Sequence, residues 1–102
     1  MSSVELLESS PGKFDMRGPL TFATARRARE SGLTVLGTSS ARSFHVNCSG
    51  ITASDSAGMT VLLDWLAFAK RSGCSMHFES LPPQVQAIAR ISDVLELLER
   101  GV

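Results

Sequence analysis

An α/β fold with a mixed sheet is predicted by three features of the chain. Two short apolar segments flank a Ser-Ser-Pro-Gly turn near the start and read as an antiparallel hairpin. Two later segments, 43–48 and 75–79, alternate apolar and polar residues as half-buried strands do. Between them runs an apolar stretch with helical spacing, so strand, helix and strand imply a parallel crossover, right-handed by default. A hairpin plus a parallel crossover is a mixed sheet, and about four helices complete the domain.

Taken in order, segments 4–7 and 13–16 are the hairpin strands, joined through Ser9-Ser10-Pro11-Gly12, and Gly18-Pro19 is expected to end the second. A first helix is expected over 21–31, where Phe22, Ala25 and Ala28 or Arg29 recur at helical spacing, Thr21 is a candidate cap and Gly32 a C-terminal stop. Its outer face is basic through Arg26, Arg27 and Arg29, which fits a solvated face or a site for phosphate or an acidic partner. Segment 33–42, rich in Gly, Ser and Thr, is expected to connect, with Leu33, Val35 and Leu36 packed.

The central strand at 43–48 alternates Phe44, Val46 and Cys48 against His45 and Asn47. A second helix follows over 56–71 and stops at Ser72-Gly73; the strand at 75–79 then places Met76 and Phe78 on one face and His77 on the other. Pro82-Pro83 opens a third helix, since proline is tolerated in the first turn, with Val85, Ile88 and Ala89 as its buried stripe. Ser92-Asp93 is expected to cap a last helix that docks through Val94, Leu95, Leu97 and Leu98 and ends at Gly101.

Composition bounds the function. The 102 residues are 43% hydrophobic and 20% charged, ordinary for one globular domain, residues 1–102. Such a chain buries roughly 65% of its unfolded surface. Ten Lys plus Arg balance ten Asp plus Glu, so no global field draws nucleic acid or an anionic membrane surface. No apolar run approaches the roughly 20 residues that span a bilayer, and the N-terminus lacks a signal core, so a cytoplasmic location without direct membrane insertion is expected. Cys48 and Cys74 form no Cys-x-x-Cys pair and are expected as buried, reduced thiols. His45 and His77 are expected on one sheet face, without the further ligands that a metal needs.

The stretch 51–66 carries the candidate site. A strand-like run stops at Ser54-Asp55-Ser56 and restarts as an apolar helix, which places the Ser56 hydroxyl at a helix start. Ser and Asp there accept hydrogen bonds from unpaired helix N–H groups, and the same groups favour an anion if the hydroxyl is phosphorylated. Plain capping and a phosphorylation switch both fit. Further along, Met59, Leu62, Leu63 and Leu66 form one apolar stripe, while Val61, Trp65 and Phe68 form a second on nearly the opposite side. That second stripe needs a cover: a neighbouring helix of the same chain or a partner protein.

Asp55-Ser56-Ala57-Gly58-Met59, followed by Val61-Leu62-Leu63 and Trp65-Leu66, resembles the signature of STAS domains, the sulfate transporter and anti-sigma factor antagonist modules. The resemblance runs from about Gly12 to Leu98. Asn47 and Cys48 stand in Phe44-His45-Val46-Asn47-Cys48-Ser49, where the family usually carries Asp-Leu-Ser. Ala69-Lys70-Arg71-Ser72-Gly73 and Leu81-Pro82-Pro83-Gln84-Val85-Gln86-Ala87-Ile88-Ala89 are similar to the MlaB-like branch, small STAS subunits of bacterial Mla phospholipid ABC transporters. The resemblance implies a single STAS-type domain, Ser56 as the switch position and candidate phosphoacceptor, and Ser54, Asp55, Ser56, Ala57, Met59 and Thr60 as the partner-binding patch. It also implies an ABC transporter ATPase subunit as the partner, or, as the alternative, an anti-sigma pathway kinase.

Enzyme motifs are absent. The chain has no Gly-x-Ser-x-Gly elbow, phosphate-binding Gly-rich loop, His-Glu-x-x-His or Gly-x-Gly-x-x-Gly. A triad of Ser56, His77 and Asp55 would require Asp55 to orient a histidine on another element. No catalytic residue, cofactor or metal ligand is therefore assigned.

Overall fold

A computed structural model describes residues 4–102. The elements run β1 (Glu5–Ser10), β2 (Lys13–Leu20), α1 (Ala25–Thr38), β3 (Ser43–Ser54), α2 (Ser56–Arg71), β4 (Ser75–Glu79), α3 (Pro83–Ile91) and α4 (Leu95–Arg100). One four-stranded sheet has the order β1-β2-β3-β4, antiparallel between β1 and β2 and parallel across the rest. The fold is thus the expected mixed α/β sheet with four helices.

Alternation decides the layers. Phe14, Met16, Phe44, Val46, Cys48 and Met76 point inward beneath the helices, each no more than 1% exposed, and Phe14 meets Phe44 edge-on at 5.6 Å. Outward-facing residues pair in rows across the strands: Lys13 with His45 and His77, Asp15 with Asn47 and Glu79. The hairpin turn needs glycine at Gly12, where φ is 79°. Its N–H donates to Glu8 Oε2 at 3.0 Å, which with a bond from the Ser39 hydroxyl holds the Glu8 carboxyl below its usual range.

Several expectations are corrected. Gly18-Pro19 does not end β2, and β3 runs past Cys48 to Ser54, because a bulged parallel register carries Arg17, Gly18, Pro19 and Leu20 alongside Gly50, Ile51, Ala53 and Ser54. Gly32 does not stop α1, which continues through the supposed connector to Thr38. Ala28, Gly32 and Leu36 are its buried stripe, and a Cβ on Gly32 would overlap the Trp65 indole. Glycine inside a helix costs about 1 kcal/mol relative to alanine; burying a tryptophan outweighs that.

Ser92-Asp93 does not cap α4. Its N-cap is Val94, without a side-chain hydrogen bond, and Asp93 sits instead in a left-handed turn at φ 65° after α3. Finally, Phe22 is not part of a helical core stripe. It precedes α1 and is 84% exposed. Thr21 is not the cap either: Thr24 occupies that place, its hydroxyl accepting from the Thr21 N–H at 3.0 Å and donating to the Pro19 carbonyl at 2.7 Å.

Candidate docking site at the start of helix α2

Because β2 and β3 are parallel neighbours, the helices that follow them start at the same end of the sheet. Asp55 ties these starts together. Its backbone is extended, Oδ1 accepts from the Gly58 N–H at 3.0 Å, and Oδ2 accepts from the Phe22 N–H at 2.9 Å. One carboxylate therefore caps α2 and pins the β2–α1 loop. The bonds from Phe22 and then Gly58 hold the Asp55 carboxyl below its ordinary range.

Ser56 follows as the first residue of α2 and is exposed. Asp55, not Ser56, is the cap, and the Ser56 hydroxyl has no hydrogen bond among the described residues. Its carbonyl accepts from the Thr60 hydroxyl at 2.9 Å. Gly58 is fixed by packing, since a Cβ there would overlap the Leu20 carbonyl oxygen. The glycine of the motif lets α2 meet the end of β2.

The expected patch divides under this geometry. Ser56 and Thr60 are exposed, Ala57, Asp55 and Ser54 are half-buried, and the Ser54 hydroxyl donates to Gln84 Oε1 on α3 at 3.4 Å. Met59 is only 6% exposed and belongs to the core, so it is removed from the contact set. Val61 and Trp65, at 2% and 0% exposed, are likewise not a free apolar contact: they lie in the core cluster, Trp65 against Gly32 of α1, and Phe68 is partly buried on that cluster. The cover for the second stripe is α1 of the same chain.

Phe22 is the surface residue that sequence reasoning missed. Its helical spacing from Ala25 suggested core, but Thr21 and Thr24, both able to bond backbone locally, mark the loop that turns it outward. Between Phe22, Ala25, Ala57 and Val61 lies an open groove of about 560 Å³, rimmed by Arg26, Arg29, Thr60 and Asp64. Arg29 Nε stands 3.2 Å from Asp64 Oδ2 and clasps α1 to α2.

Other candidate groups lie elsewhere. His45 and His77 stack on the outer sheet face at 5.6 Å, with Glu79 Oε1 3.7 Å from His45 Nδ1. Asp55 spends both oxygens on backbone N–H groups, so Ser56, His77 and Asp55 are not joined into a triad. No group of three or more His, Cys, Asp or Glu side chains is placed to hold a metal ion among the described residues. Both cysteines are free; burial pushes the Cys48 thiol up to about 12, while Cys74 is only half-buried. No helix among the described residues is long and apolar enough to cross a membrane.

The family model described as "Mlab, STAS domain" matches residues 6–99. The chain belongs to the STAS family. Among solved structures, the anti-sigma factor antagonist SpoIIAA in its unphosphorylated form superposes with a TM-score of 0.72 at 14% identity, covering 92% of this chain and 84% of that one. A sulfate transporter family protein from Wolinella succinogenes gives 0.65 at 17% identity, covering 86% and 70%. The murine anion transporter Slc26a9 gives 0.70 at 16% identity over 94% of this chain but 19% of the transporter. At such identities these likenesses show the fold, and STAS domains are in general regulatory rather than catalytic modules. No curated protein matches by sequence.

Proposed function

We propose that this STAS domain is a non-catalytic subunit that binds and supports the ATPase of a phospholipid-transporting ABC complex, at the cytoplasmic face of the inner membrane. The observation that carries the reading is the MlaB-type family match, taken with a helix start that presents Ser56 and Thr60 outward on a rigidly capped turn. Ser54, Asp55, Ser56, Ala57 and Thr60 form the docking patch. In this reading the protein acts on a partner, in keeping with described residues that form neither a phosphate-cradling loop nor an activated nucleophile.

The second reading, an anti-sigma factor antagonist released when Ser56 is phosphorylated, is favoured by the likeness to SpoIIAA and by an exposed hydroxyl without an internal partner. The test is coexpression with the transporter ATPase from the same operon, followed by size exclusion. Coelution as a stable complex is expected. Separate elution, with strong binding to a sigma-pathway kinase instead, transfers the assignment to the second reading. Purified protein that turns over ATP or esters in a Ser56-dependent manner would overturn both.

A further inference from the structure

Phe22 is the starting point. A phenylalanine 84% exposed is held outward by three local restraints: its own N–H on Asp55, the Thr21 N–H on Thr24, and the Thr24 hydroxyl on Pro19. Nothing among the described residues covers the ring, yet its backbone is pinned. It stands beside a groove whose floor, between Ala25 of α1 and Ala57 and Val61 of α2, is apolar. A fixed aromatic at the lip of an apolar cleft is the arrangement by which interfaces concentrate binding energy.

Charge on the walls selects the occupant. Arg26, Arg27 and Arg29 are all exposed on α1 within a chain of zero net charge. Arg26 shares Glu30 at 3.4 Å and Arg29 shares Asp64 at 3.2 Å, while Arg27 has no ion-pair partner among the described residues. The first turn of α1 contains no acidic residue, so its N-terminus adds positive potential, whereas the Asp55 cap offsets that of α2, which starts at the same end. Of the nearby carboxylates, Asp55 turns its oxygens to the backbone while Glu30 and Asp64 are engaged by Arg26 and Arg29, which leaves Arg27 and the α1 N-terminus as uncompensated positive charge.

We propose that the α1–α2 groove takes an acidic amphipathic helix of a partner protein, with Phe22 as the aromatic contact and Arg26 and Arg29 facing the partner's carboxylates. The proposal rests on the α2 start being a docking surface and names the chemistry that docks there. Asp55 is a positioning residue, holding the Phe22 loop and the α2 cap in one arrangement. A carboxylate or phosphate at Ser56 then opposes docking by repelling the incoming acidic helix.

The experiment follows backbone amide resonances of the folded protein during titration with a synthetic amphipathic helical peptide of Glu, Leu and Ala, and with its charge-reversed Lys counterpart. Saturable shifts are expected at Phe22, Ala25, Ala57 and Val61 with the acidic peptide alone, weakened by added salt. Phe22→Ser and Arg26→Glu should each lower that affinity roughly tenfold, the loss typical of an interface hot spot. Ile91→Ser, which alters another exposed apolar residue, should leave it unchanged.

No groove shifts with the acidic peptide, equal binding of the Lys peptide, or shifts that persist in Phe22→Ser overturn the proposal. So do concentration-dependent groove shifts without peptide, which assign the groove to a second copy, and Phe22-dependent cosedimentation with phosphatidylglycerol vesicles, which assigns it to a membrane. The two readings separate cleanly. Peptide binding without ATPase binding keeps the groove and removes the ATPase; ATPase binding unaffected by Phe22→Ser, with a silent peptide, does the reverse.

Discussion

Phe22 and Trp65 are two large aromatic side chains of the α1 and α2 region, one exposed and one buried. Trp65, set in a second apolar stripe open to cover by a neighbouring helix or a partner, is 0% exposed against Gly32; Phe22, spaced like a core residue, is 84% exposed. Periodicity reports that a side chain needs cover, not who supplies it. Trp65 is covered because Gly32 has no Cβ, so α1 approaches closely enough for the indole to fill the seam. Phe22 is uncovered because it lies in the loop before α1, where Asp55 and Thr24 fix the backbone and leave the ring outside the helix packing.

The sharpest way to break this comparison is to attack the buried member. Trp65→Ala should cost about 3–5 kcal/mol by leaving a cavity between the helices. At roughly 4–8 °C per kcal/mol for a domain of this size, the melting midpoint should fall by more than 10 °C in calorimetry. Gly32→Val should also destabilise, by about 1–3 kcal/mol or more, because its side chain must enter the space that the indole fills. A Gly32→Val protein as stable as the parent would show that α1 does not pack on Trp65.

Asp55 comes next, since it joins the two regions. Asp55→Ala should lose about 0.5–2 kcal/mol as the α2 cap goes and the Phe22 N–H loses its acceptor. Asp55→Asn keeps one carbonyl oxygen and so removes the charge together with one of the two accepted bonds. The folded carboxyl titrates below its ordinary value, so its stabilisation is full above about pH 4, the unfolded value, and is lost as pH falls through the lowered one. The melting difference between parent and Asp55→Asn should therefore narrow toward strongly acid pH. A difference that widens on acidification contradicts the two N–H bonds.

Substitutions on the open side should barely touch folding. Phe22→Ser should stay within about 0.5 kcal/mol of the parent, as surface changes generally do, whatever it does to docking. Ser56→Glu adds a negative charge at the start of α2 and should gain about 0.3–1 kcal/mol in stability while weakening the partner complex. Ser56→Ala should change stability less than a lost cap would, because Asp55 holds that role. Unchanged affinity for Ser56→Glu, in a variant shown to be folded, would place Ser56 outside the interface.

The parts of the fold set by short-range chemistry were legible. Helix α2 and strand β4 have the bounds that their residues announce: a Ser-Asp-Ser start, an apolar period, a Ser-Gly stop, then Met76 and Phe78 alternating with His77. Identity and alternation alone settled these, because capping, glycine turns and side-chain facing act over a few residues. The end of α1 was not legible. A glycine that stops a helix and a glycine that admits a neighbouring tryptophan are the same letter, and only the position of Trp65 distinguishes them.

The site divides the same way. From the sequence came the helix start, with the Ser56 hydroxyl at it and the carboxylate beside it, all consequences of local capping. Which of Ser54, Asp55 and Ser56 caps, that Met59 turns into the core, and that Phe22 stands beside Ala57 were decided only when two parallel strands brought both helix starts to one end of the sheet. Contacts between residues far apart in the chain depend on sheet order and helix packing, and no local signal encodes them.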